Sequence, residues 1–397
     1  MNKVLKVSLF IVSTLIVVEG ASQFYMSSIT YRSGRVALPA NQDWKIVTPA
    51  YDGLDAEIRL TNNGLGFRGT EKPSDLSERL SIVTVGGRST ENKYLDNQKT
   101  WTARLGKTLT RNFPDLWINN AGLEGHSTFG HAFLFADHLA RLKPKVVVLM
   151  AGVDDFKKPG ASPRERHDLD LGIDFSSARA AISSLAQYSG LARLGLYGYR
   201  RFTVKRLNTK RYSGQVRKTA AGGRWGTKHV TWEEAHYGPD DPSRLNFTTP
   251  KIAKLDFLSA HQEKATRFAK KLSELVLVAR TNGMMLILVT HPVLFGKSVD
   301  ENTGYDLARI RVQPGIDGET WGEISALYNN AVRGVASQMD VLLIDAEKRM
   351  ARSSRYFHDR SNFTNEGARV LAQIIYPDLC TYLEVTYPAH GRGNCPE

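Results

Sequence analysis

Short apolar segments alternate with longer amphipathic ones along most of this sequence. The apolar segments comprise residues 81–85, 117–119, 146–150, 284–289 and 341–344. Between the third and fourth of these segments, residues 252–280 repeat large apolar side chains at helical spacing. Further helices are predicted near residues 131–142, 177–188, 320–337 and 365–375, and Thr364 can cap the last of them. Strands that alternate with helices form a parallel sheet that is covered on both faces. We therefore predict an α/β fold, a three-layer α/β/α sandwich around a doubly wound parallel sheet of five strands.

The candidate functional residues are those that follow the predicted strands. In an open α/β sheet, ligands bind outside the carboxyl ends of the strands. Arg88 and Ser89 follow the first strand, His126 lies in the loop after the second, Asp154 follows the third and His291 the fourth. Either histidine could line a ligand-binding cleft. A lone histidine at a strand end is, however, more often a hydrogen-bonded structural residue.

The turns after these strands resemble, in the same order, the four sequence blocks of the SGNH/GDSL hydrolases. Residues 86–90 resemble the block with the nucleophilic serine, and residues 120–128 resemble the second block, where Gly125 would donate its backbone N–H to an oxyanion. Residues 152–155 resemble Gly-x-Asn-Asp, and residues 358–367 resemble Asp-x-x-His-Phe-Thr-x-x-Gly. The resemblance implies a flavodoxin-like SGNH fold of the exported type that is found with polysaccharide biosynthesis.

Three positions depart from the family pattern. Arg88 stands at the nucleophile position, Asp154 at that of the oxyanion-hole asparagine and Asn362 at that of the histidine base, whereas Asp359 matches. A guanidinium stays protonated and is not nucleophilic, and an amide cannot accept the proton of a serine hydroxyl. A carboxylate would oppose the stabilisation of a developing oxyanion. The pattern therefore predicts an inactive site in which Arg88 pairs with Asp154, with Asp359 or with both.

Two alternatives keep hydrolysis open. Residues 87–90 also spell Gly-x-Ser-Thr, so a register shifted by one residue would make Ser89 the nucleophile. His358, four residues before Asn362, could act as a displaced base, although the loop would have to be rebuilt. Whether the chain is an enzyme therefore stays undecided at the level of sequence.

The resemblance and its substitutions lead to one functional hypothesis and two alternatives. The hypothesis is an exported, non-catalytic factor in cell-envelope or exopolysaccharide assembly. Its expected partner is a polysaccharide or acylated glycan, or a membrane or envelope assembly protein. The first alternative is an active carbohydrate O-acetyl esterase or acetyltransferase that uses Ser89, and the second is a purely structural subunit. No cofactor and no metal are expected.

The N-terminus predicts export. Two lysines precede an apolar run over residues 7–18, which is short for a spanning helix of about 20 residues. Residues 1–22 therefore form a signal peptide or a signal anchor. Gly20 and Ser22 satisfy the small-residue rule for cleavage, whereas Glu19 could mark the outer end of an uncleaved anchor. Both interpretations place the protein in the periplasm or on the outer face of the cytoplasmic membrane.

The remaining chain divides into a leading segment over residues 23–75, a hydrolase-like domain over 76–385 and a tail over 386–397. In the leading segment, Arg68 belongs to an Asn-x-x-Gly-Phe-Arg-Gly element that either binds a ligand or only forms a turn.

In the tail, Cys380 and Cys395 are predicted to form a disulfide, because an oxidising compartment favours one and no metal-ligand cluster lies nearby.

An insertion of about residues 190–250 interrupts the domain and is rich in lysine and arginine, with aromatic residues among them. It contributes most of the excess positive charge in a chain of net charge +13. Such a pattern can indicate nucleic-acid binding. An exported chain rarely meets nucleic acid, so an anionic polysaccharide, lipid head groups or an acidic partner are the expected ligands. A solvated insertion without a partner is the alternative.

Overall fold

A computed structural model describes residues 3–48, 53–156, 162, 165–169, 171, 189–195, 246–393 and 395–396, and every structural statement concerns these residues. Four strands near the N-terminus form two antiparallel hairpins. They are β1 Thr30–Ser33 with β2 Val36–Pro39, and β3 Gln42–Val47 with β4 Glu57–Asn62.

A six-stranded sheet forms the centre of the molecule. Its strands are β5 Arg68–Gly69, β6 Ser81–Gly86, β7 Trp117–Asn120, β8 Val146–Met150, β9 Met285–Val289 and β12 Leu343–Ile344. Their order is β12-β9-β8-β6-β7-β5, and all pairs are parallel except β5 with β7. The predicted parallel sheet of five strands is confirmed. The leading segment adds the sixth strand, which was not predicted.

The described helices pack around this sheet and mostly agree with the predictions. The Lys251–Thr281 helix packs against the Gly318–Gln338 helix, and the Trp101–Leu109 helix packs against the Asn365–Thr386 helix. A further helix runs over Thr128–Phe133, takes π-helical turns over Leu134–Leu139 and ends with Ala140–Leu142. Short α-helices span Arg88–Glu91, Glu165–Asp168 and Ala346–Arg349. Single 3₁₀ turns span Asn97–Lys99, Val153–Phe156, Leu307–Arg309 and Pro388–His390, and β10 Arg311–Gln313 with β11 Ile316–Asp317 forms a small hairpin.

The C-terminal helix extends beyond its predicted end. Thr364 caps it, as predicted, by accepting a hydrogen bond from the Gly367 N–H. We expected the helix to stop at residue 375, yet it continues through Pro377 to Thr386. Proline removes one backbone hydrogen bond, but Cys380 and Leu383 beyond it are fully buried and hold the last turns against the core.

The predicted disulfide between Cys380 and Cys395 is confirmed. The two sulfur atoms are 2.00 Å apart and the Cα atoms 5.5 Å apart. The bond fastens the end of the tail to the C-terminal helix. The predicted helix over residues 177–188 and most of the basic insertion lie outside the described residues.

The N-terminal helix spans Lys3–Ser28 without interruption and is longer than the apolar run suggested. Residues Leu5–Ser28 are long and apolar enough to cross a membrane, and nearly all of the apolar stretch is exposed. The helix therefore passes through the predicted boundary at residue 22. No other helix among the described residues meets the same length and hydropathy test.

Candidate functional site

The turn after β6 presents Arg88, and glycine is required just before it. A Cβ atom on Gly87 would lie 1.8 Å from Oδ2 of Asp154, so only glycine permits this approach. The same Oδ2 accepts a hydrogen bond from the Arg88 backbone N–H at 3.3 Å. Asp154 thus caps the first turn of the Arg88–Glu91 helix from the 3₁₀ turn that follows the neighbouring strand β8. The strand-to-helix turn and the third predicted block are in direct contact.

Arg88 and Asp154 also pair through their side chains. The Arg88 Nε lies 3.6 Å from Asp154 Oδ1, and the exposed fractions of the two side chains are 26% and 7%. Burial by itself lowers the pKa of Arg88, but the charges of Asp154 and Asp359 outweigh it and raise the pKa overall. Arg88 is therefore a permanent cation at the predicted nucleophile position.

Asp359 and Asn362 form a closed hydrogen-bonded unit. Asp359 Oδ1 accepts the backbone N–H groups of Ser361 at 2.9 Å and of Asn362 at 2.7 Å, and Oδ2 accepts the Asn362 Nδ2–H at 2.5 Å. Burial alone would raise the pKa of Asp359, but the neighbouring His358, these N–H donors and Arg88 outweigh it and lower the pKa. Asn362 thus satisfies an ionised Asp359 without offering a base. Within the described residues, its buried Oδ1 has no hydrogen-bond partner.

Ser89 lies beneath the turn and contacts His291. Its Oγ is 2.9 Å from His291 Nε2 and 2.9 Å from the Ser361 carbonyl oxygen. Burial lowers the pKa of His291 to about 4, so the ring is neutral at pH 7. Both residues are candidates in the sequence, but their contact was not predicted.

The single proton of the Ser89 hydroxyl allows two arrangements. If it goes to the Ser361 carbonyl, His291 donates from Nε2 and its lone pair lies on Nδ1, away from the serine. If it goes to Nε2, His291 is oriented as a base, but no hydrogen then lies between Ser89 Oγ and the Ser361 carbonyl oxygen, 2.9 Å apart. Nδ1 has no partner among the described residues in either arrangement, whereas only the first arrangement places a hydrogen in both contacts of Ser89 Oγ. The first arrangement, in which Ser89 is not activated, is therefore favoured.

A cleft of about 210 Å³ opens beside this turn. It is lined by Arg88, Val153, Asp154, Phe156, His261, Gln313, Ile316, Trp321, Ile324, Arg360 and Ser361. The Arg360 guanidinium lies 4.9 Å from the centre of the Trp321 ring, and the Phe156 and Trp321 rings meet edge to face at 5.2 Å. The cleft therefore combines an aromatic wall with two arginines and one aspartate. Ser89 is not among its lining residues and is only 1% exposed.

Comparison with known proteins identifies the domain. Residues 81–248 match the GDSL-like Lipase/Acylhydrolase family model. Over these residues the chain is similar to the GDSL-like lipases and acylhydrolases. The predicted family is therefore confirmed. No curated protein matches the sequence.

Solved structures of similar proteins are distant in sequence. The acetylxylan esterase Axe2 from Geobacillus stearothermophilus is 12% identical, with 75% of this chain and 93% of that chain covered and a TM-score of 0.39. A lipolytic protein of the G-D-S-L family from Desulfitobacterium hafniense DCB-2 is 12% identical, with 74% and 97% covered and a TM-score of 0.35. A GDSL-like lipase from Parabacteroides merdae ATCC 43184 is 9% identical, with 75% and 93% covered and a TM-score of 0.38.

Arg68 holds residues 91–97, which follow the turn that carries Arg88. Its guanidinium donates to the carbonyl oxygens of Glu91, Asn92 and Leu95 and to the side chain of Asn97. All its N–H groups are thus engaged within the protein. Burial lowers its pKa to about 10, which still leaves it charged at pH 7. The Phe-Arg-Gly element therefore fixes the loop that follows Arg88, and Arg68 is not among the residues that line the cleft.

The other predicted positions also lie outside the cleft lining. His126 is 1% exposed and its Nε2 lies 3.1 Å from Asp168 Oδ2. Gly125 has a φ of 81°, which favours glycine, and its carbonyl accepts a hydrogen bond from Ser162 Oγ. His358 is buried, which lowers its pKa, and its ring meets Tyr94 edge-on. The described His, Cys, Asp and Glu side chains include no group of three that could hold a metal ion.

Sequence reasoning missed the residues that close the cleft from the helical side. His261 comes from the Lys251–Thr281 helix and Trp321 from the first turn of the Gly318–Gln338 helix. His261 Nδ1 lies 3.2 Å from the Tyr328 hydroxyl, and burial lowers the pKa of His261 to about 4. Arg360 could have been found, because it stands between Asp359 and Asn362 in the last block.

Proposed function

We propose that this GDSL-like domain binds an acylated carbohydrate in its cleft without hydrolysing it. The observation that carries the proposal is the side chain at the turn after β6. The residue that reaches the cleft there is Arg88, held by Asp154 at 3.6 Å, and not a hydroxyl group. A permanently charged guanidinium can donate hydrogen bonds to a ligand but cannot attack an ester.

The surrounding groups agree with binding rather than acyl transfer. Asn362 offers Asp359 a hydrogen bond but cannot take up a proton. Asp154 brings negative charge to the cleft, where an oxyanion would require hydrogen-bond donors. The aromatic wall of Phe156 and Trp321, with the polar groups of Arg360 and Gln313 beside it, has the composition of a small-molecule site.

The biological setting belongs to the same proposal. An exposed apolar helix at the N-terminus and a basic insertion favour a protein on the outer face of the cytoplasmic membrane or in the periplasm. There the ligand would be a polysaccharide or acylated glycan, and the process cell-envelope or exopolysaccharide assembly. An envelope assembly protein is the alternative partner.

Two measurements on the same preparation test the proposal. Wild-type protein should turn over p-nitrophenyl acetate no faster than buffer, and it should bind partially acetylated xylo-oligosaccharides in a calorimetric titration. Acetylated xylo-oligosaccharides are chosen as the probe because Axe2 is described as an acetyl-xylooligosaccharide esterase. Trp321→Leu should weaken binding, whereas Leu277→Ala, a change at an exposed apolar residue, should leave it unchanged. Binding that is equally strong in Trp321→Leu would contradict the location of the site.

A second candidate function, ester hydrolysis by Ser89, rests on the 2.9 Å contact between Ser89 Oγ and His291 Nε2. It requires the turn to move, because Ser89 is 1% exposed. A fluorophosphonate reagent followed by peptide mass analysis separates the two functions. Covalent label on Ser89, together with turnover that Ser89→Ala abolishes, would establish hydrolysis and overturn the binding proposal.

A further inference from the structure

The N-terminal helix exposes large apolar side chains on all its faces. The exposed residues are Leu5, Val7, Leu9, Phe10, Ile11, Val12, Leu15, Ile16, Val17 and Val18, followed by Phe24 and Tyr25. Because both 9–12 and 15–18 are exposed in every position, no single side of the helix is covered by protein. A helix that is apolar all round is buried in a core or in a bilayer. No described part of this chain covers it.

The second half of the same helix, in contrast, is docked to residues 189–195. The Glu19 carboxylate accepts hydrogen bonds from the Gly190 N–H at 2.6 Å, the Leu191 N–H at 3.1 Å and the Ser189 hydroxyl at 3.0 Å. These groups form the first turn of a helix over residues 190–195. One turn further along, Gln23 Oε1 accepts from Arg193 Nη2 at 3.0 Å. Glu19 and Gln23 therefore cap and hold a segment that lies far away in sequence.

We propose that the Lys3–Ser28 helix is retained in the mature protein as a membrane anchor. A lipid bilayer covers its exposed apolar surface, and the docked segment 189–195 fixes the domain at the outer membrane surface. The positively charged N-terminus, with Lys3 and Lys6, lies on the cytoplasmic side.

The length of the helix fits this placement. At about 1.5 Å per residue, the stretch from Leu5 to Val18 is about 21 Å long, whereas a bilayer core of about 30 Å needs about 20 residues. A stretch this short is accommodated by local thinning of the bilayer and by flanking side chains that reach the head groups, here Lys6, so Glu19 and the segment 189–195 stay outside the hydrocarbon core. Phe24, Tyr25 and the exposed Leu191 then lie at the outer interface, where aromatic residues are enriched. Glu19 is tolerated at this depth because its oxygens already accept several hydrogen bonds.

The docking also bears on cleavage of the predicted signal. The small-residue rule places the cleavage site between Ser22 and Gln23, so that cleavage would separate Glu19 from Gln23. Ser22 is only 4% exposed, and a Cβ on Gly190 would lie 2.4 Å from the Gln23 backbone nitrogen, so the two segments are in close contact there. Cleavage would remove Glu19 from the helix over 190–195 and leave its first N–H groups without their acceptor.

The N-terminus of the mature protein gives the first test. The full chain is expressed with its own N-terminus in a bacterium, membranes are washed with alkaline carbonate, and the intact mass is measured. The protein should remain in the membrane and retain residues 1–22, apart from the initiator methionine. A chain that begins at Gln23, or one that the carbonate wash releases, would overturn the proposal.

Hydrogen exchange of the same protein in lipid nanodiscs tests the docking. Glu19→Ala should accelerate exchange of the Gly190 and Leu191 amides about fivefold or more, as expected for a lost helix cap. Glu57→Ala is the matched control, because Glu57 is exposed and forms its ion pair with Lys45, which is itself exposed. Glu19→Gln keeps one acceptor oxygen and should give an intermediate rate. Unchanged exchange in Glu19→Ala would show that Glu19 does not hold the segment.

Discussion

Removal of Arg88 should destabilise the protein more than removal of its partner Asp154. Asp154 is the more deeply buried of the two, with 7% of its side chain exposed compared with 26% for Arg88. Arg88→Ala removes the cation that is paired with a nearly buried carboxylate, on which the charge of Arg360 still acts. Asp154→Asn leaves a guanidinium that water reaches and that still feels the charge of Asp359.

The size of each effect follows from this difference in burial. Breaking a fully buried ion pair by removing one partner costs about 3–5 kcal/mol. Because the charged groups are 3.6 Å apart and Arg88 is partly exposed, we expect the lower end of that range, about 3 kcal/mol, for Arg88→Ala and about 1–2 kcal/mol for Asp154→Asn. The double variant should lose less than the sum of the two, since neither charge is then left alone.

Urea unfolding of the solubilised chain at pH 7.5, followed by circular dichroism, measures these free energies. Lys45→Ala is the control, because the Lys45–Glu57 pair has side chains that are 79% and 56% exposed and such pairs contribute less than about 1 kcal/mol. The reasoning is refuted if Arg88→Ala costs no more than Lys45→Ala, or if the effects of the two cleft substitutions are simply additive.

Three further predictions concern pH and redox state. Burial raises the pKa of Asp155 to about 7 from 3.8, so between these pH values the folded state holds a proton that the unfolded state releases. Thermal stability should therefore fall as the pH rises from 3.8 to about 7. Asp155→Asn should remove this dependence on pH. Burial lowers the pKa of His291 to about 4 from 6.5, so stability should fall as pH decreases through this window, and less so in His291→Gln. Reduction of the Cys380–Cys395 bond should lower the unfolding free energy by about 3 kcal/mol, and intact-mass analysis after alkylation should detect two thiols only in the reduced sample.

The sequence was sufficient for the parallel sheet because buried parallel strands are continuous apolar runs. The runs at 81–85 and 146–150 coincide with β6 and β8. Strand β5 is only two residues long, and no periodicity can mark so short an element. Its place depends on Arg68, whose guanidinium binds carbonyl groups that come together only after folding.

The same distinction applies to the site. Arg88, Asp154 and Asn362 could be placed because each follows a strand or lies in a block with a recognisable pattern. Trp321 and His261 could not, since the packing of two long helices brings them to the cleft and no local pattern marks them. The contact between Ser89 and His291 joins residues 202 positions apart and likewise required the fold.

The three departures from the family pattern depend on one another, which determines how activity could be introduced. Asn362 keeps the hydrogen bond to Asp359, and Asp154 keeps Arg88 compensated. Arg88→Ser alone would leave the Asp154 carboxylate beside the new hydroxyl without the Arg88 cation, and Asn362→His alone would supply a base without a nucleophile. We therefore expect turnover of p-nitrophenyl acetate only when Arg88→Ser, Asp154→Asn and Asn362→His are combined, with Ser89→Ala in the triple variant having no effect. Equal turnover by Arg88→Ser alone would show that the charge of Asp154 does not oppose the developing oxyanion.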